Sequence, residues 1–336
     1  MTATVTMTLE QCHQLVIDSL MKRGADLANA TAVADTITSA ERDGCASHGL
    51  FRLPGYLSSL ISGKVSGDAD PRLERLAPAV LRVNADNGFA PLALSRAYDA
   101  LAEAAKENGI AACAITRMYH FAALWPEATA MAERGCVSMA WTAATPMVAP
   151  AGGIKPFYGT NPMAFGWPRK DREPMVFDQA SAAMARGEIM IAARDGHKVP
   201  ATAGVDKAGN PTTDPNAILE GAQTAFGGYK GAALALMIEL LVGPLIGDLC
   251  SFEAGEVDNK DGGPPPGAEL IIAMDPRRFG DAEGFEDHAE KLFTELLSQP
   301  GTRLPGDRRY RQRIRVAKEG FSIPHSLYDA ILEKAG

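Results

Sequence analysis

Ile110-Ala-Ala-Cys-Ala-Ile-Thr116 is a short run of apolar and small residues set off by Gly109, the pattern of a strand buried in a sheet. Working outward, comparable runs recur at 136–141, 163–167, 174–178 and 268–274. Loops bearing Gly, Pro, Thr and Asn separate them, together with helical stretches at 122–134 and 228–249. Helices so few and so unequal do not alternate with the strands as a doubly wound parallel sheet requires. The spacing instead predicts an α/β chain of the α+β kind, with a mixed, largely antiparallel central sheet over 76–299. Upstream, Thr8-Leu9-Glu10-Gln11 has capping-box spacing and opens a helix over 9–22. A second helix is predicted over 29–43, ended by Gly44 in a left-handed turn. A Pro/Gly-marked loop over 64–78, a strand over 79–84 and an Ala-rich helix over 91–108 follow. Downstream come a breaker-rich surface loop over 250–267, a helix over 284–299, a basic stretch and a last helix over 325–334. Residues 1–75 thus form a helical N-terminal region, expected to pack with 300–336.

The chain has 336 residues, 46% hydrophobic and 22% charged, which suits a folded protein with a buried core. Its 33 basic and 41 acidic side chains give a net charge of −8, so no basic field invites nucleic acid or anionic lipid. Five dispersed cysteines without a C-x-x-C pair suggest neither a disulfide framework nor a metal site. The N-terminus lacks the marks of a signal peptide. The longest apolar run, 231–249, is short for a bilayer and carries Glu239, so it reads as a buried helix. A cytoplasmic protein without nucleic-acid or membrane partners is the expectation.

Just past the second helix, Cys45-Ala-Ser47-His48-Gly-Leu-Phe-Arg52 places a hydroxyl, an imidazole and a guanidinium close together. A hydroxyl can orient an imidazole, the imidazole can pass a proton, and an arginine can grip a carboxylate in two-pronged fashion. Neither G-x-G-x-x-G nor a Walker A pattern is present, so any nucleotide site is built otherwise. Tyr229-Lys230-Gly231, at a helix start, and Arg303-Leu304-Pro305-Gly306-Asp307-Arg308-Arg309 both suit a multiply charged anion. His120-Phe121-Ala122-Ala123-Leu124-Trp125, between a strand and a helix, offers small side chains where a flat ring could lie. Phe157-Tyr-Gly-Thr160-Asn161-Pro162 reads as a polar turn, and Ala185-Arg186-Gly187-Glu188 as a charged loop after the strand ending at Asp178.

In this order the segments resemble the malate/L-lactate dehydrogenase family, nicotinamide oxidoreductases that do not use the Rossmann fold. Ser47-His48-Gly49 with Arg52, Gly159-Thr-Asn-Pro162, Phe177-Asp178 and Phe226-Gly-Gly-Tyr-Lys-Gly231 carry the likeness over nearly the whole chain. Within the family, His120 to Trp125, Phe165-Gly-Trp-Pro-Arg169 and Ala185 to Ile189 are most similar to the bacterial Δ1-piperideine-2-carboxylate/Δ1-pyrroline-2-carboxylate reductases. The resemblance implies a malate/sulfolactate dehydrogenase-like fold, a homodimer, and NADPH, favoured over NADH, as the reductant of a small cyclic imine carboxylate, giving L-proline or L-pipecolate. It implies His48 as proton donor, with Ser47 and Glu188 completing a relay. It further implies Arg52, Thr160, Arg186 and Gly187 around the substrate. The cofactor would lie against His120, Phe121, Ala122, Ala123 and Leu124, against Asp178, Gln179 and Ala180, against Lys230 and Gly231, and against 303–309. Asp178 and Asp195 compete with Glu188 for the relay carboxylate. Arg117-Met-Tyr119, where relatives more often have small polar residues, departs from the pattern.

Chemistry supports the same residues. Hydride addition to C=N is easiest on a protonated nitrogen, which favours an acid with a near-neutral pKa and so His48. Phe121, Trp125 and Trp167 offer an apolar wall for a methylene ring. An open-chain 2-hydroxy acid such as malate, lactate or ureidoglycolate is the alternative substrate, and malate would call for a second cation. A non-catalytic nucleotide-binding protein is the remote alternative.

Overall fold

Thr8 starts the first helix as its spacing predicts, its hydroxyl accepting from the Gln11 N–H while Gln11 Oε1 accepts from the Thr8 N–H. The computed structural model describes residues 3–121 and 123–336, so the Ala122 assignment lies outside the described residues. It opens with β1 (Thr4–Met7), α1 (Leu9–Lys22) and α2 (Leu27–Arg42). Gly44 follows with φ +71°, the left-handed conformation that a glycine adopts without strain. Two short 3-10 turns, Ala46–His48 and Leu50–Arg52, then run into α3 (Leu53–Ile61). No helix is predicted over α3. Pro54 stands in its first turn, where a missing N–H costs nothing, and Leu53, Tyr56 and Leu57 are buried.

Next come β2 (Arg72–Ala77), β3 (Val80–Asn84), α4 (Ala90–Asn108), β4 (Ile110–Tyr119), α5 (Trp125–Glu133), β5 (Val137–Thr142), β6 (Met163–Trp167) and β7 (Met175–Gln179). The loop expected over 64–78 therefore contains a strand, whose residues are all exposed and so present no buried face for the sequence to announce. Beyond the sheet lie α6 (Arg186–Asp195), β8 (Gly204–Val205), α7 (Pro215–Glu220), β9 (Ala222–Gln223), α8 (Tyr229–Val242) and α9 (Ser251–Val257). The chain closes with β10 (Pro266–Met274), α10 (Phe285–Leu297), α11 (Asp307–Glu319), β11 (Phe321–Pro324) and α12 (His325–Ala335). The surface loop expected over 250–267 thus contains α9, and the basic stretch near the C-terminus continues into α11.

The central sheet has strand order β2-β3-β4-β10-β5-β6-β7, and only β3 and β4 run parallel. It is mixed and largely antiparallel, as predicted. Strand alternation sends Cys113, Ile115, Ile271 and Ala273 to one face, where Leu94 and Leu101 of α4 and Ala128 and Met131 of α5 cover them. Trp141 and Leu270 face the other way, onto Ile238 and Val242 of α8. β11 pairs antiparallel with β1, and Val316, Phe321, Ile323 and Ile331 share an apolar cluster with residues of α1, α2 and α3. Among the described residues no helix is long and apolar enough to cross a membrane. The run at 231–249, expected to be a buried helix, is helical only to Val242, and Leu236 and Leu240 in it are exposed.

Candidate active site

The turn after α2 is held from below and from both sides. Ser47 Oγ lies 3.1 Å from His48 Nδ1, and the Ser47 carbonyl accepts from Arg52 Nε at 2.8 Å. Beneath it the buried Glu41 carboxylate accepts from the Leu50 N–H at 2.7 Å, and a Cβ on Gly49 would collide with that carboxylate. Only glycine fits there. Asp43, fully enclosed at the end of α2, receives Trp125 Nε1 at 3.0 Å and a two-pronged Arg313 at 2.7 and 3.0 Å. Burial opposes its charge, but Arg313 and Arg42 hold its carboxyl below the ordinary range. Trp125, fixed in this way, stands edge-on to the His48 ring with centroids 6.3 Å apart. Burial, then Arg52 and His120, push the His48 pKa down to about 3. The imidazole is therefore uncharged in the ligand-free protein, unlike the near-neutral acid expected from sequence, because its enclosure and cationic neighbour both disfavour the charged form.

The Arg52 guanidinium sits 4.7 Å over the Phe121 ring and pairs with no carboxylate among the described residues. The N-terminus of α6 comes up against it: a Cβ on Gly187 would lie 3.1 Å from Ser47 Cβ and 3.8 Å from Arg52 Nη2. Arg186 and Gly187 begin a helix rather than standing on a loop, and Arg186 Nη2 reaches the Leu219 carbonyl at 3.4 Å. Glu188 is exposed and has no hydrogen bond to Ser47 or His48 among the described residues. Of its competitors, Asp195 ends α6 in a pair with Arg194, while Asp178 caps α5, accepting from Leu124 and Trp125 N–H at 2.8 and 3.2 Å. Trp167 packs on Phe285 of α10 with centroids 6.2 Å apart, whereas Phe121 and Trp125 stand beside Arg52 and His48. The Thr160 carbonyl accepts from Ser181 N–H at 2.8 Å, which ties the Thr160 turn to the segment after β7.

That segment, Asp178 to Ser181, is a junction for the expected cofactor residues. Asp178 bonds Leu124; Gln179 is exposed; Ala180 leads to Ser181, whose carbonyl accepts from Phe226 N–H and lies against Gly231. A Cβ on Gly231 would collide with the Phe226 carbonyl, so the start of α8 is drawn in tightly. Arg309 donates to the Val176 carbonyl at 2.6 Å and lies 5.6 Å from the Trp125 ring, bringing the start of α11 to the same place. Asp307 caps Leu304 N–H at 3.0 Å, Leu304 is buried, and Gly306 turns with φ +94°. Lys230, Arg303 and Arg308 are exposed and form no ion pair among the described residues. Unpaired cations beside a glycine-turned helix start suit a ligand with several phosphates.

A sequence profile of the malate/L-lactate dehydrogenase family matches residues 7–332. The chain belongs to that family. This member is 48% identical over 331 residues to the Δ1-pyrroline-2-carboxylate/Δ1-piperideine-2-carboxylate reductase of Pseudomonas aeruginosa, covering 98% of each chain. Its fold is similar to the crystal structure of the Δ1-piperideine-2-carboxylate reductase of Pseudomonas syringae pv. tomato, with TM-score 0.93, 42% identity and coverage of 98% of this chain and 100% of that one. It also resembles the sulfolactate dehydrogenase of Methanocaldococcus jannaschii, with TM-score 0.87, 28% identity and coverage of 98% and 96%.

Several residues that build this family member's site escape a sequence reading. Glu41 carried a signal, since it follows Ile37 by four residues on the buried face of α2, where a carboxylate is out of place. Asp43 and Arg313 meet across 270 positions, and no local pattern joins them. Glu239 is explained by its partners: it accepts from Asn161 Nδ2 at 2.7 Å and from Ser251 N–H and Oγ at 2.8 and 2.5 Å, pinning the Thr160-Asn161 turn to α8.

Proposed function

We propose that this protein reduces the cyclic imine acids Δ1-pyrroline-2-carboxylate and Δ1-piperideine-2-carboxylate to L-proline and L-pipecolate, using NADPH in preference to NADH. The observation that carries the proposal is the half-buried Arg52, without a carboxylate partner among the described residues, beside the Ser47–His48 pair. The names of the relatives support it. A bound nicotinamide supplies the hydride. Arg52 holds the substrate carboxylate and so presents one face of the ring, which converts binding into orientation. The anion also offsets the positive charge that depresses His48, raising its proton affinity when the substrate is in place. His48 then gives its proton to the imine nitrogen, with Ser47 fixing the ring through Nδ1. In this reading Thr160, Arg186 and Gly187 close the substrate pocket, Glu188 flanks it, and Phe121 and Trp125 form an apolar wall for the methylene ring. Lys230 and the arginines of 303–309 take the phosphates.

The protein acts as a homodimer in the cytoplasm in this reading. Leu236, Leu240 and Leu245 on and after α8, and Phe252 and Val257 of α9, are exposed large apolar side chains of the kind that a second copy covers. A second reading, oxidation of an open-chain 2-hydroxy acid, is favoured by the cationic Arg186 next to Gly187, although Arg186 is turned to the Leu219 carbonyl. Mixing purified protein with NADPH and each cyclic imine acid, and with NAD(P)+ and malate, lactate or ureidoglycolate, tests both readings through nicotinamide absorbance. Turnover confined to the imines is the expected result. Turnover confined to the hydroxy acids overturns the proposal.

A further inference from the structure

Imine reduction uses one proton from solvent per turnover, yet the residue assigned to deliver it is half-buried. His48 shares a cavity of about 10 Å³ with His120, walled by Tyr56, Trp125 and Pro126. That is room for about one water. His120 is buried, and neither of its ring nitrogens has a hydrogen-bond partner among the described residues. Its Nε2 lies 3.7 Å from Glu127 Oε1, and Glu269 brings a carboxylate oxygen within 4.8 Å of both. Glu127 Oε2 and both oxygens of Glu269 also lack partners. Buried polar atoms are nearly always satisfied, so such a concentration of orphans marks a place where water or protons complete the bonding. Glu127 also lines a groove of about 710 Å³ between α2, α4 and α5. Thr36 and Pro126 line both the groove and the inner cavity. None of the groove residues belongs to the substrate or cofactor sets.

We propose that Glu127 and His120 form a proton relay that reloads His48 from this groove through one water. The proposal rests on the imine-reductase reading. When His48 has given its proton to the imine nitrogen, it recovers one from the water, the water takes one from His120, His120 from the Glu127 carboxyl, and Glu127 from solvent in the groove. One proton enters for each proton consumed, and no oxidant or reductant beyond the cofactor is needed. The ionisable groups facing Glu127 are His120 at the end of β4, Tyr56 of α3, Tyr98 of α4, Asp178 of β7 and Glu269 of β10. None of these carboxyls has a lysine or arginine at ion-pair distance among the described residues. Burial, with Glu127 and Asp178 adding, holds Glu269 well above the carboxylate range, which keeps the cluster from accumulating negative charge. Glu127 and Glu269 are thus positioning residues acting through His120.

Glu127→Gln tests the relay with almost no change of shape. The expected result is a fall in steady-state kcat of about 10-fold or more, with both KM values kept and with single-turnover hydride transfer near the wild-type rate when the protein is equilibrated with the imine before NADPH is added, because substrate binding has by then loaded the first proton on His48. Formate or imidazole buffer restores kcat as its concentration rises, and Glu127→Asp recovers part of it. A kcat within twofold of wild type overturns the relay, as does an equal loss in single and multiple turnovers without buffer rescue. A stoichiometric metal ion in the purified protein also overturns it, since the three side chains would then hold a cation instead of passing a proton. Wild-type protein that does not oxidise NADPH with either imine fails the underlying reading instead, before any variant is compared.

Discussion

At the residue scale, the behaviour of His48 is set by its neighbours. A histidine free in solution would be half charged near pH 6.5, but this one is enclosed and faces Arg52, and it titrates only at about 3. Charge on Arg52 is therefore both the proposed anchor of the substrate and, after burial, a cause of His48 waiting uncharged. Arg52→Met separates the two effects. Losing a charged hydrogen-bonded pair of about 1.5–3 kcal/mol raises the substrate KM by roughly 10- to 100-fold. In the ligand-free variant the His48 titration moves up, because the cation is gone, but stays below 6.5, because burial is the larger cause. Imidazole NMR across pH reads the second effect, and an unmoved His48 titration contradicts this account of its neighbours.

At the element scale, the turn between α2 and α3 exists because Gly44 allows a left-handed step, Gly49 clears Glu41, and Glu41 ties down the Leu50 N–H. Burial raises the Glu41 pKa from 4.5 to about 7. The unfolded chain thus releases this proton near pH 4.5 while the folded protein keeps it to about 7. Glu41 costs stability as pH rises through that window, by roughly 3 kcal/mol in all. Glu41→Gln keeps an acceptor for Leu50 and has no proton to lose. Denaturant unfolding is expected to show the variant gaining roughly 3 kcal/mol on wild type between pH 4 and pH 8; a constant difference between the two proteins contradicts the assignment. Helices α1, α2 and α4 and the strands of the central sheet other than β2 were legible because caps and apolar periods are local signals. Helix α6 was not, since Ala185 offers no side-chain cap and the helix starts on Arg-Gly. Nor was β11, whose partner β1 lies at the other end of the chain. The residues of the site were legible as motifs, but their supports, Asp43 with Arg313 and Asn161 with Glu239, depend on contacts that only the fold creates.

At the scale of the whole molecule, the sheet brings four distant stretches to one place: the turn after α2, the segment from Asp178 to Ser181, the start of α8 and the start of α11. Large apolar side chains on and after α8 are left exposed, Leu240 to 54% and Leu245 to 64%. Leu240→Glu places a charge where a second copy is proposed to dock, so light scattering is expected to show wild-type dimer and variant monomer at the same concentration; a variant that remains as dimeric as wild type moves the interface elsewhere. In the proposed mechanism His48 hands its proton to nitrogen while Arg52 holds the carboxylate. Steady-state reduction of Δ1-piperideine-2-carboxylate by His48→Ala tests this most directly, with NADPH affinity followed by fluorescence in the same protein. A kcat lowered about 100-fold or more with NADPH binding intact is the expected result, and turnover at the wild-type rate would show that the proton comes from somewhere else.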